Sequence, residues 1–171
     1  MRYTPLAAAV SLFAAVAASS SYGQADAPLD PRVAVLIADG QAALGEGDLA
    51  GATDRFEAAL VLDPGHADTY LNLARVSQAE GLYGQAIHYF REAEERDPGN
   101  LAAISGEGSA MIAKGARAQA AKNLAKLQSL CGTDCAETAA LAAAIERGPM
   151  PRVKSAEAKP AEPLIDPLER N

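Results

Sequence analysis

The sequence predicts an all-helical solenoid of three helix pairs followed by a C-terminal capping helix. Three observations predict it. Small and aromatic positions recur every 34 residues, and one Asp-Pro-Gly turn is spelled twice at that spacing. The chain is also 49 % apolar with only 5 % aromatic residues and no Trp, so its core falls to Ala, Leu, Val and Ile. A period between 20 and 50 residues is the mark of stacked supersecondary units, each of which buries its apolar face against the next.

The recurrence is specific. Ala52, Ala86 and Ala120 stand 34 apart, as do Phe56, Phe90 and Leu124, then Ala59, Ala93 and Leu127. Asp63-Pro64-Gly65 returns as Asp97-Pro98-Gly99, and Gly40, Ala74 and Gly108 place a small residue twelve positions before each Ala of the first column. These columns resemble the tetratricopeptide repeat (TPR), with its period of 34 and its order of small residue, Ala, aromatic, Ala and Pro. Residues 33–66 and 67–100 match throughout. Residues 101–134 depart from it, with Leu124 and Leu127 where the aromatic and the last Ala belong and Gly132 where Pro belongs. The resemblance implies a right-handed α–α superhelix and a binding role, because the family's shared residues pack helices and perform no chemistry.

Taken in order, the chain opens with Arg2, an uncharged run from Leu6 to Ala18, and the small and polar stretch Ser19 to Ala25. That is the pattern of a secretory signal peptide, expected over 1–25. The run is short of the roughly 20 residues a spanning helix needs, which disfavours the alternative of an uncleaved anchor. A linker over 26–32 leads into first helices near 33–45, 67–80 and 101–114 and second helices near 49–62, 83–96 and 117–130. Gly47-Asp48, Gly81-Leu82 and Gly115-Ala116 supply the turns within pairs. Pro64 and Pro98 end the second helices. Gly40, Ala74 and Gly108 are expected to admit the second helices through Ala52, Ala86 and Ala120, with Phe56 and Phe90 filling the space between repeats.

The last pair leaves an apolar face open, and residues 135–147 are expected to cap it with a stripe of Ala139, Leu141, Ala142 and Ile145, turning Glu146 and Arg147 to water. From Gly148 to Asn171 the chain holds five of its ten prolines among Ala, Ser, Lys and Glu, a composition expected to be disordered. It reads as a solvated tail, or as a tether with a short docking patch at Pro163-Leu164-Ile165.

Function classes narrow in the same way. A net charge of −7 disfavours nucleic-acid binding, which requires clustered Lys and Arg. The two histidines, His66 and His88, stand apart from the cysteines in the repeat register. No Ser-His-acid arrangement, phosphate loop or calcium loop appears, so neither enzymatic activity nor a cofactor is expected. Cys131 and Cys135, separated by Gly132-Thr133-Asp134, read as a disulfide in an exported chain. Redox exchange and metal binding stay open for the pair, although two cysteines alone do not complete a four-ligand zinc site.

The resemblance places a ligand groove on the exposed face of each first helix. Carried over position by position, that face is Ile37, Gln41 and Leu44, then Asp68, Leu71, Asn72, Arg75 and Gln78, then Ala102, Ser105, Ser109 and Ile112. Asn72 and Arg75 form its polar focus, Arg offering a planar fork of donors. Of the five polar or basic residues with which the family clamps a charged chaperone tail, only Asn72 is present. Ile37, Gln41, Ala102 and Gly106 fill the other four places. An apolar or helical protein segment is therefore the expected partner, in a module of the bacterial periplasm or a secreted one, with no nucleic acid and no membrane span.

Overall fold

The computed structural model describes residues 29–149, so the expected signal peptide and most of the C-terminal tail lie outside the described residues. Within them the chain forms seven helices: α1 Pro31–Glu46, α2 Leu49–Leu62, α3 Ala67–Ala79, α4 Tyr83–Arg96, α5 Leu101–Ala113, α6 Arg117–Cys131 and α7 Ala136–Arg147. Successive helices pack on one another, α3 also reaches α1 and α5, and α7 rests on both α5 and α6. This is the stack of three pairs plus cap that the 34-residue period predicts.

Local chemistry sets the boundaries. Helix α1 begins two residues before the predicted start because the Asp30 carboxylate accepts the Arg32 amide and Pro31 takes the first helical position, where its missing N–H costs nothing. Asp48 and Asn100 cap α2 and α5 in the same way, on the amides of Gly51 and Ala103. Gly47, Gly81 and Gly115 all adopt positive φ at the ends of the first helices, where a side chain would be strained. Each marks the turn into its second helix.

The columns that carry the period are the core. Ala52, Ala86, Ala120, Phe56, Phe90, Ala59, Ala93 and Leu127 are all buried, whereas Leu124 is half-buried. The glycines serve a different contact from the expected one. A β-carbon on Gly40 would stand 2.6 Å from the Phe56 ring, and one on Gly108 would stand 2.6 Å from Leu141 of the capping helix. At Gly40 and Gly108 the small residue thus makes room for a large side chain, while Ala74 lies in one buried cluster with Ala86. A third glycine, Gly106, faces Phe90 from the preceding repeat, and a β-carbon there would clash with the Cζ–Cε edge of the ring.

The cap uses the predicted stripe at three of its four positions, with Thr138 in place of Ala139. Thr138 and Leu141 are buried and Ala142 and Ile145 half-buried, while Ala139 is exposed. The Cys131–Cys135 disulfide has its Cα atoms 5.9 Å apart, Cys135 is the N-cap residue of α7, and the buried Thr138 hydroxyl donates to the Gly132 carbonyl at 2.9 Å. Leu141 then joins Ile104 and Leu127 in the terminal core cluster.

Candidate functional site on the concave face

Three helices, α3, α5 and α7, contribute to one open pocket. Ala102, Ser105, Gly106 and Ser109 on α5, Gln78 on α3, and Ala136, Glu137 and Ala140 on α7 together line an open pocket of about 340 Å³. Ser105 is fixed by donating to the Glu137 carbonyl at 3.2 Å, and the Gln78 amide donates to the Gly106 carbonyl at 3.3 Å. The first of these contacts ties α5 to the cap, the second α3 to α5. A smaller hollow of about 150 Å³ continues along the same helices between Ser109, Ile112 and Ala113 on one side and Ala144, Arg147 and Gly148 on the other.

The repeat spacing extends this face toward the N-terminus. Arg75 and Gln41 stand 34 and 68 residues before Ser109, and Asp68 stands 34 before Ala102. All three are exposed, and Ile37 and Leu44 are half-buried. Arg75 pairs with no carboxylate among the described residues. Its guanidinium donates instead to the Asn72 side-chain oxygen at 3.3 Å.

That contact corrects the expected polar focus. Asn72 is only 1 % exposed. Its amide nitrogen is spent on the Asp68 carbonyl at 2.8 Å, one turn back along α3, and its oxygen lies under Arg75. Leu71 and Ile112 are likewise withdrawn from the groove. Leu71 packs into the cluster around Phe90, and Ile112 packs with Met111 and Ala120, showing only its edge to the smaller hollow. With pairs of residues four apart, an inner face that is shallow and small exposes fewer side chains than sequence position suggests. Of the expected face, Gln41, Asp68 and Arg75 are exposed and Ile37, Leu44, Gln78, Ala102, Ser105 and Ser109 half-buried, joined by the half-buried Glu137.

The α7 wall was not predicted as part of the groove. Its signal was present in Ala136 and Ala140, small residues one helical turn apart on the side of the cap away from Leu141.

On another face, a charged cluster joins α4, α5 and α6. Glu107 is buried and accepts from Arg91 Nε at 2.6 Å and from Asn123 Nδ2 at 2.6 Å. Glu94 accepts from Lys126 at 2.6 Å through one oxygen, while its other oxygen is buried with no donor among the described residues. Burial pushes the Glu94 carboxyl above the usual carboxylate range; Lys126 opposes that shift and the neighbouring Glu107 adds to it. Periodicity hides this cluster because Glu107 occupies a column filled by Asp39 and Leu73 in the earlier repeats. The described residues hold no group of three or more His, Cys, Asp or Glu suited to a metal ion. His88 is exposed, and His66 sits at the N-terminus of α3.

No family model and no curated protein matches this sequence. Solved structures do. The TPR domain of Arabidopsis OM64 superposes with a TM-score of 0.62 at 19 % identity, covering 68 % of this chain and 95 % of that one. The TPR2B domain of yeast Sti1, solved as a complex with pHsp70, gives 0.63 at 20 % identity, covering 69 % and 98 %. The Yersinia enterocolitica type III secretion chaperone SycD, solved with a peptide of the translocator YopD, gives 0.63 at 21 % identity, covering 69 % and 92 %. Each of the three is matched over nearly its whole length. At these identities the likeness speaks for architecture, and it agrees with the 34-residue columns and the seven-helix stack: the chain has the fold of a tetratricopeptide repeat domain.

Proposed function

We propose that this chain is a protein-interaction module that receives a peptide or a helix along its concave face. The observation that carries the reading is the open pocket between α3, α5 and α7, where the Gln78 and Ser105 side chains are already held by hydrogen bonds to the Gly106 and Glu137 carbonyls. A surface held in place before a ligand arrives loses little freedom on binding. Small Ala and Gly side chains leave room for a partner's larger ones, and Arg75 adds a donor at the repeat-equivalent position toward the N-terminus. The complexes of Sti1 with pHsp70 and of SycD with a YopD peptide support a peptide as the ligand class. The absence of the clamp residues favours an apolar or helical segment over a charged C-terminus.

The proposed setting is the bacterial periplasm. The signal-like N-terminal pattern and the disulfide support export. Among the described residues no helix is long and apolar enough to cross a membrane. Neither a cofactor nor catalysis enters the reading.

Selection from a displayed peptide library tests it. Peptides that bind the wild-type protein are expected to lose binding to Ala140→Trp, which fills the pocket from the cap, and to keep it with Glu57→Trp on the exposed face of α2. Equal binding to both variants, each with a wild-type melting curve, refutes the groove.

A further inference from the structure

The disulfide joins two helix ends of opposite polarity. Cys131 is the last residue of α6, and Cys135 is the N-cap residue of α7. The C-terminal end of a helix presents carbonyl groups and a partial negative charge; the N-terminal end presents free amides and a partial positive one. A thiolate is therefore disfavoured at Cys131 and favoured at Cys135. The Cys135 side chain accepts no capping hydrogen bond in the oxidised form. The buried Thr138 hydroxyl stands 3.0 Å from the Cys135 sulfur and 3.5 Å from that of Cys131. It donates to the Gly132 carbonyl while the bond is intact, and rotation about its C–O bond brings its proton to a thiolate once the bond opens. Asp134 and Glu137 are the carboxylates flanking this end of α7. Asp134 is exposed and Glu137 half-exposed, so solvent screens their opposition to a second negative charge. Both cysteines are only partly buried.

We propose that Cys131–Cys135 is a thiol–disulfide exchange site that opens in one direction, an external dithiol bonding to Cys131 while Cys135 leaves as the thiolate at the N-terminus of α7. One thiolate of the dithiol attacks the Cys131 sulfur. A new S–S bond forms there, the Cys131–Cys135 bond breaks, and its electron pair goes to Cys135. The second thiolate of the dithiol then attacks its own partner sulfur in the mixed disulfide, releasing Cys131, which takes up a proton. The dithiol departs as a cyclic disulfide, and its two electrons rest on the two protein sulfurs. The direction follows because the more acidic thiol is the better leaving group. What the exchange acts on is the covalent tie between α6 and the capping helix. The inference does not depend on the groove reading.

The test uses the intact, oxidised protein with glutathione as the probe. After brief exposure the free thiol is blocked with N-ethylmaleimide and the peptides are mapped by mass spectrometry. Glutathione is expected predominantly on Cys131 and maleimide on Cys135. The reverse placement, an even split, or no opening at all overturns the proposal. Thiolate absorbance of the single variants gives a second readout. The Cys135 thiol in Cys131→Ser is expected to titrate about one pH unit or more below the Cys131 thiol in Cys135→Ser. Adding Thr138→Val is expected to raise the midpoint of Cys135 alone. Coincident midpoints for the two thiols would contradict the assigned polarity.

Discussion

The two Asp-Pro-Gly turns are spelled alike and held differently. At Asp63-Pro64-Gly65 the Pro64 carbonyl accepts from both Tyr70 Oη at 3.0 Å and Arg96 Nε at 3.1 Å, and the Arg96 guanidinium lies 3.8 Å over the centre of the Tyr70 ring. At Asp97-Pro98-Gly99 the corresponding residues, 34 positions on, are Ile104 and Leu130. Ile104 is fully buried with Leu127 and Leu141, and Leu130 is exposed. The first turn is fastened at the surface by a cation and a phenol. The second has no such clasp, its two counterpart residues being an aliphatic side chain packed into the terminal core and an exposed leucine. The difference teaches that the repeat columns fix the backbone, while the residues between them decide how each junction is secured.

The largest effect expected from breaking this comparison lies at the aromatic key between repeats two and three. Phe90→Ala removes a buried ring seated on Gly106 and is expected to cost about 3–5 kcal/mol, against about 2 kcal/mol for Leu124→Ala at the half-buried equivalent position. Urea unfolding at unchanged slope measures both. Equal losses would mean that the third repeat is keyed like the second.

Next in size is Gly108. An added methyl meets Leu141, so Gly108→Ala is expected to cost about 1–3 kcal/mol through overpacking. Gly45→Ala, in α1 with open space around it, is expected to stabilise by about 0.5–1 kcal/mol, because Ala loses less chain entropy in a helix. If both changes act with the same sign, the cap does not rest on Gly108.

These glycines show what was legible in the sequence and what was not. The pairs and the buried columns follow from the 34-residue period, because packing between repeats demands small and large residues at fixed places, while the turns follow from their Gly and Pro residues and the cap from its apolar stripe. The partners of Gly40 and Gly108 do not follow, since spacing along the chain does not say which large side chain enters a gap. The same limit explains Asn72. Sequence position suggested an exposed polar residue, but one hydrogen bond back to the Asp68 carbonyl and the overlying Arg75 leave Asn72 buried. The α7 wall of the pocket depends on the rotation of the cap, which the inward Thr138 sets.

The charged cluster behind the third repeat gives a pH signature. Burial raises the Glu94 carboxyl, so the folded chain holds that proton more tightly than the unfolded chain does. Its stabilising contribution is fully present below the ordinary glutamate value and is lost as pH rises through the higher folded one. Glu94→Gln is expected to flatten this part of the Tm–pH profile. An unchanged profile would show that the cluster accommodates the charge.

The smallest effect belongs to the surface fastening of the first turn. Arg96→Ala is expected to cost about 0.5–1 kcal/mol for the loss of its stacking on Tyr70, again read by urea unfolding. A cost equal to that of Phe90→Ala would reverse the contrast between a surface clasp and an internal key.

The central claim is that partners bind on the concave face. Its most direct test is backbone amide mapping by NMR of the protein titrated with a library-selected peptide. Shifts are expected to concentrate at Arg75, Gln78, Ser105, Ser109 and Ala140, leaving Glu57, Lys122 and Lys126 unmoved. Shifts confined to the outer faces of α2, α4 and α6 would contradict the account.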